Sequence, residues 1–206
     1  MKITAVVLLS LMTLAAWGQD MAGHYVLHGV MEVGSELLLK PDGKFEWMLA
    51  YGAADYWAKG TWSREGNAVV LHSTGKEGEP FTFLRSEAGE PGRIRVWVMG
   101  QNGKGVGNID VYLLAGGTKP LKARTDSDGA ADFPDDPKAH AVSFEVRVYE
   151  VQTKPFEIDP KNKDFYYRIN GDVIMQVLFK DEKLAIDGTS LIMKRDPDHP
   201  MKYERE

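Results

Sequence analysis

The sequence predicts an all-β fold of the barrel or sandwich class, and three observations carry that expectation. Lys44–Tyr51 alternates with period two, with Phe45, Trp47, Leu49 and Tyr51 on one face and Lys44, Glu46, Met48 and Ala50 on the other, as in a half-buried strand. Short segments of this kind recur between turn formers such as Pro41-Asp42-Gly43, Arg64-Glu65-Gly66, Asn170-Gly171 and Asp187-Gly188. No helical period of useful length interrupts them.

The N-terminus stands outside this pattern. Lys2 precedes an apolar run over residues 3–16, and Ala16 and Gly18 are small residues at the −3 and −1 positions of a cleavage site. Residues 1–18 therefore read as a secretory signal peptide rather than a membrane anchor, since the run is short and has no basic stop-transfer flank. The expected location is the periplasm or the exterior, with no membrane span after cleavage. The 206 residues contain no cysteine, which excludes disulfides, thiolate metal sites, cysteine nucleophiles and a lipidated cysteine at the cleavage site. A net charge of −5 without a basic run argues against nucleic acid or anionic lipid as a partner.

The first block reads as strands over residues 24–30, 36–40, 44–51, 57–63, 67–73 and 81–85. Beyond the Gly/Pro/Glu-rich breaks at 75–80 and 87–92 the style changes. Strands are expected at 93–99, 108–114, 121–125 and 141–150, with a glycine-rich loop over 100–107. The final block, with strands at 164–169, 172–179, 184–186 and 191–195, returns to the first style, and a polar tail follows from Asp196.

Two resemblances give these blocks a form. The pieces IRVWVMGQNGKGVGNIDVYL, TDSDGAADFP and VSFEVRVYE, within residues 93–149, resemble the carboxypeptidase regulatory-like, or transthyretin-like, β-sandwich, whose Thr-x-x-x-Gly-x-x-x-Phe segment is here Thr125, Gly129 and Phe133. The resemblance implies a module that stabilises, spaces or binds; the histidine pattern of the transthyretin-like hydrolases is not found. SELLLKPDGKFEWMLAY and AKGTWSREGNAVVLHS, within residues 22–86, resemble lipocalin-like envelope domains, although the lipobox and paired cysteines of those domains are missing. Six strands are too few to close a roomy barrel, and open edges are sticky. The expectation is therefore a small antiparallel lipocalin-like barrel interrupted by an inserted transthyretin-like sandwich. The first part of the barrel spans 19–91, the sandwich 92–150, the last barrel strands 151–195 and the tail 196–206.

Candidate chemistry is sparse. His24 and His28 share a strand face but have no third ligand set by the sequence. Asp126, Asp128, Asp132, Asp135 and Asp136 surround Gly129 without matching a calcium loop, so an Asx turn is the simpler reading. Gly100, Gly103, Gly105 and Gly107 precede no helix that could cradle phosphate. Ser73-Thr74-Gly75-Lys76 matches Ser-x-x-Lys without its companion motifs. No metal or cofactor is expected. The aromatic stretch Trp47, Tyr51, Tyr56 and Trp57, with Asp55, is the candidate ligand site, placed at a barrel mouth to take an apolar or sugar-like ligand. The expected function is that of an exported non-enzymatic protein binding a small ligand or an envelope partner. The alternatives are a structural spacer acting through strand addition and a hydrolase whose His and carboxylate groups meet only in the fold.

Overall fold

The computed structural model describes residues 19–75, 78–117 and 119–206; the expected signal peptide and Lys76 of the Ser-x-x-Lys match lie outside the described residues. In chain order the strands are β1 (Gly23–His28), β2 (Val33–Leu39), β3 (Lys44–Tyr51), β4 (Ala54–Glu65), β5 (Ala68–Ser73), β6 (Phe81–Glu87), β7 (Arg93–Met99), β8 (Asp110–Leu114), β9 (Leu121–Arg124), β10 (Ala130–Pro134), β11 (Ala141–Val146), β12 (Val151–Gln152), β13 (Phe156–Glu157) and β14 (Asp164–Ile169). A short helix α1 (Gly171–Met175) follows, then β15 (Glu182–Asp187), β16 (Ser190–Met193) and β17 (Met201–Arg205). Among the described residues they form two units, one from residues 19–75 with 176–206 and the other from 78–175.

The first unit is a closed barrel of order β1-β17-β16-β15-β5-β4-β3-β2, with antiparallel pairing throughout. Eight strands enclose a space just wide enough for side chains. The inward positions fill it: Tyr25, Leu37, Phe45, Trp47, Leu71, Leu184, Leu191 and Tyr203 are buried. Phe179, from the segment before β15, packs among them at 5.9 Å from the Phe45 ring and 5.1 Å from Trp47. The strands on either side of the interruption meet again here, for the Gln176 side-chain amide donates to Thr74 O at 3.4 Å and Phe179 N–H donates to Ser73 Oγ at 3.0 Å.

The second unit is a sandwich. One sheet has the order β10-β7-β14-β6, with β14 parallel to β7 and the other pairs antiparallel. The other runs β12-β11-β8-β9, with β13 also pairing β11. Between them lies a core separate from the barrel's, in which Phe81 and Phe144 stack at 4.3 Å and Tyr167 packs edge-on against Phe144 at 4.9 Å.

The expected all-β barrel-plus-sandwich class is therefore the observed one, but four elements sit differently from the expectation. The strands expected at 81–85 and 164–169 belong by that expectation to the barrel; instead β6 and β14 pair with each other inside the sandwich. Alternation shows that a strand has one buried face and not which core buries it. The segment 172–179, expected as a strand after an Asn-Gly hairpin, begins as α1, where Ile174 N–H bonds Asn170 O at 3.2 Å and Val173 and Ile174 are buried. The tail from Asp196 contains β17, which closes the barrel between β1 and β16. Its short pattern offers one fully buried large residue, Tyr203, with Met201 half-buried beside it, and that is enough because the two neighbouring strands supply the rest. The unit boundaries thus fall between residues 75 and 78 and at 175/176 rather than at 91/92 and 150/151.

Candidate functional site

The alternation that fills the barrel also decides what its outside offers. On β1 to β4 the outward positions include two full cross-strand rows. One row runs His24, Leu38, Glu46, Lys59, and the other runs Val26, Glu36, Met48, Trp57. Trp57 and Met48 are directly opposed on neighbouring strands, and Met48 is 52% exposed. Around them lies a groove of about 400 Å³ whose lining includes His24, Glu36, Leu38, Glu46, Met48, Trp57 and Lys59. Its floor is apolar and its rim is charged. Lys59 Nζ stands 5.4 Å from the centroid of the Trp57 ring, within cation–π range.

His24 shapes one end of the groove. Its Nε2 lies 3.0 Å from Glu36 Oε2 and its Nδ1 lies 2.8 Å from Glu206 Oε2. Bonds to these two carboxylates, Glu206 first, hold the imidazole pKa above its ordinary value. Two carboxylate contacts favour the doubly protonated ring, in which both nitrogens donate and no lone pair is left to act as a base. It therefore clasps the chain end, after β17, to β1 and β2. Glu46, across the groove, takes Lys40 Nζ at 2.5 Å.

Beneath the groove the wall is held by a buried polar chain. Trp47 Nε1–H donates to the Tyr203 hydroxyl at 2.9 Å, and that hydroxyl bonds Ser35 Oγ at 2.8 Å. Ser35 in turn donates to Met48 O at 2.6 Å, directly behind the exposed Met48 side chain. Burial pushes the Tyr203 phenol pKa up.

The structure divides the aromatic stretch. Trp47 points into the barrel and is 3% exposed, so it supports the site from behind. Tyr56 points the same way, half-buried against the barrel core. Tyr51 and Asp55 are exposed near the β3–β4 turn, where Tyr51 opposes Ala54. Trp57 is the one of the five that faces the groove with its side chain. The proposed position at a barrel mouth is corrected accordingly: the interior is packed, and the concave surface lies on the outer wall. Leu38, Met48, Glu36, Glu46 and Lys59 were not singled out from the sequence, although the alternation over 44–51 already placed Glu46 and Met48 together on the outer face.

The remaining candidates are engaged otherwise. Asp126 Oδ1 accepts the N–H groups of Asp128 and Ala130, both at 2.9 Å, the geometry of an Asx turn. Asp132 pairs with Arg95, Asp135 with Lys163, and Asp136 caps Lys138 N–H. The glycine loop closes as a turn, with Gly103 N–H on Gly100 O at 3.1 Å. His28 lies on the outer wall beyond His24 and is exposed. Among the described residues no three His, Asp or Glu side chains converge as a metal site, and no helix is long and apolar enough to cross a membrane. Compared with protein-family models, curated proteins and solved structures, the chain matches none.

Proposed function

We propose that the protein is an exported, non-enzymatic binding protein of the cell envelope, and that it takes a small ligand with an apolar or sugar-like face on the outer wall of its barrel. The observation that carries this reading is the Trp57–Met48 pair, a large flat half-buried ring beside an exposed, flexible thioether in a groove rimmed by Glu36, Glu46, Lys59 and His24. Indole surfaces receive apolar rings and the C–H faces of sugars, and charged groups at the edge orient hydroxyls. The hydrolase alternative loses support at His24. Its two carboxylate contacts occupy both ring nitrogens, and no serine, threonine or cysteine lines the groove.

The test is a titration of the chain beginning at residue 19 with neutral oligosaccharides and with short-chain amphiphiles, followed by tryptophan fluorescence and by melting temperature. One of the two classes is expected to give a saturable fluorescence change and a rise in Tm. Trp57→Ala removes both responses, whereas Tyr51→Ala, at the turn, keeps them. A response that persists at full strength in Trp57→Ala, or no response to either class, overturns the proposal.

A further inference from the structure

A second constellation belongs to the sandwich and owes nothing to the groove. Val111 and Leu113 of β8 point into the core, so Asp110 and Tyr112 lie on the outer face of the sheet. Register sets Asp110 between Glu145 on β11 and Arg124 on β9, and sets Tyr112 beside Lys122. Although it faces outward, the Asp110 side chain is 1% exposed, because three cations close over it. Arg124 Nε–H donates to Oδ1 at 2.8 Å, while Lys122 Nζ and Arg147 Nε stand 3.0 and 2.5 Å from Oδ2. Lys122 also donates to the Tyr112 hydroxyl at 2.8 Å, and that hydroxyl donates to Glu145.

Carboxylates placed directly opposite each other on paired strands repel, so Asp110 and Glu145 need cations. Three cations against two carboxylates leave one positive charge over, in a chain whose net charge is −5. The surplus is also presented outward. Arg124 and Arg147 approach Asp110 through Nε, the inner edge of the guanidinium, and their side chains are 48% and 58% exposed. A guanidinium held by Nε keeps its terminal pair of nitrogens for a planar, two-oxygen acceptor. Asp110 thus sets the orientation of the Arg124 fork by a hydrogen bond, and holds Arg147 beside it by ion pairing.

We propose that Arg124, Arg147 and Lys122, oriented by the buried Asp110 carboxylate, form a binding site for a singly charged oxyanion, a carboxylate or phosphodiester group carried by a ligand of the sandwich. The single charge follows from the single surplus cation, and the two-oxygen shape follows from the guanidinium geometry.

The experiment follows the arginine Nε–Hε resonances of the full exported chain by NMR during separate additions of acetate, dimethyl phosphate and chloride at constant ionic strength. Saturable shifts of the Arg124 and Arg147 signals with acetate, with dimethyl phosphate or with both support the site, and the pattern tells a carboxylate from a phosphodiester. Arg124→Gln and Arg147→Gln are each expected to weaken the response at least tenfold. Arg195→Gln, which alters a barrel arginine paired with Glu182, leaves it unchanged. Shifts that match those with chloride, or that survive in both glutamine variants, overturn the proposal. Should a variant fail to fold, the wild-type comparison of the three anions still decides.

Discussion

Tyr203 carries more of the barrel than its place near the chain end suggests. Its hydroxyl joins Trp47 on β3 to Ser35 on β2 from a strand on the far side of β1. Tyr203→Phe leaves the Trp47 indole N–H buried without its acceptor, a loss of about 1–3 kcal/mol. Urea unfolding followed by tryptophan fluorescence measures it; a loss within error would show that the chain of bonds is dispensable. His24 acts at the same scale through protonation. Its folded pKa is raised, so the clasp is fully present below the unfolded value near 6.5 and is lost as pH rises through the folded value. An NMR titration of the His24 ring is expected to show a midpoint above 6.5 that falls in Glu36→Gln. Asp110 has the opposite sign. Its cations, Arg124 first, hold its carboxyl well below the usual range, so its contribution is present above the unfolded value near 3.9 and fades as pH falls toward the folded one. Asp110→Asn is expected to cost about 2–3 kcal/mol by thermal unfolding at neutral pH, a range kept low because the three partners are partly exposed.

Among elements, the strand contacts decide which residues are tolerated. On β4, Gly60 runs so close to β5 that a Cβ there would lie 2.0 Å from His72 O and 2.7 Å from Ser73 Cα. Both obstacles are backbone, so the strands must part; Gly60→Ala is expected to destabilise the barrel by roughly 1–3 kcal/mol, read as a lower urea midpoint. In the sandwich, Gly129 has φ +83° and would place a Cβ 2.3 Å from Val98 O. The Thr-x-x-x-Gly-x-x-x-Phe spacing has a physical basis in these contacts. Thr125 Oγ1 donates to Val106 O and accepts Ile109 N–H, Gly129 permits the turn, and Phe133 enters the core. That segment was legible because its turn chemistry is local. The Trp57 groove was legible in part: the aromatic stretch drew attention to Trp57, but its neighbours come from three other strands whose register the linear order does not state. Termination after Pro200 removes β17 and opens the barrel between β1 and β16. Amide NMR is expected to show the barrel signals collapse while those of residues 78–175 persist; retention of the barrel signals would mean that β17 is not needed for closure.

Taken whole, the molecule keeps two hydrophobic cores that share no residue. One comes from both ends of the chain and the other from its middle, and Thr74 and Gln176 meet where the barrel resumes. Ends held this near cost little extra closure entropy, which is why a chain can carry a folded unit inside a barrel strand order. The fragment 77–175 is expected to fold alone, with dispersed amide signals that overlay those of the intact chain; a collapsed spectrum would show that it depends on the barrel.

Composition, period-two alternation and turn residues were sufficient for the all-β class, for most strand positions and for the two faces of the Lys44–Tyr51 strand, because those properties depend on a few neighbouring residues. Only the tertiary structure decided that β6 and β14 serve the sandwich, that β17 closes the barrel and that the groove lies outside a packed interior. Pairing partners are selected by side-chain fit and hydrogen-bond closure between segments far apart in the chain, and a periodic pattern is silent about which distant segment will supply the other half of the contact.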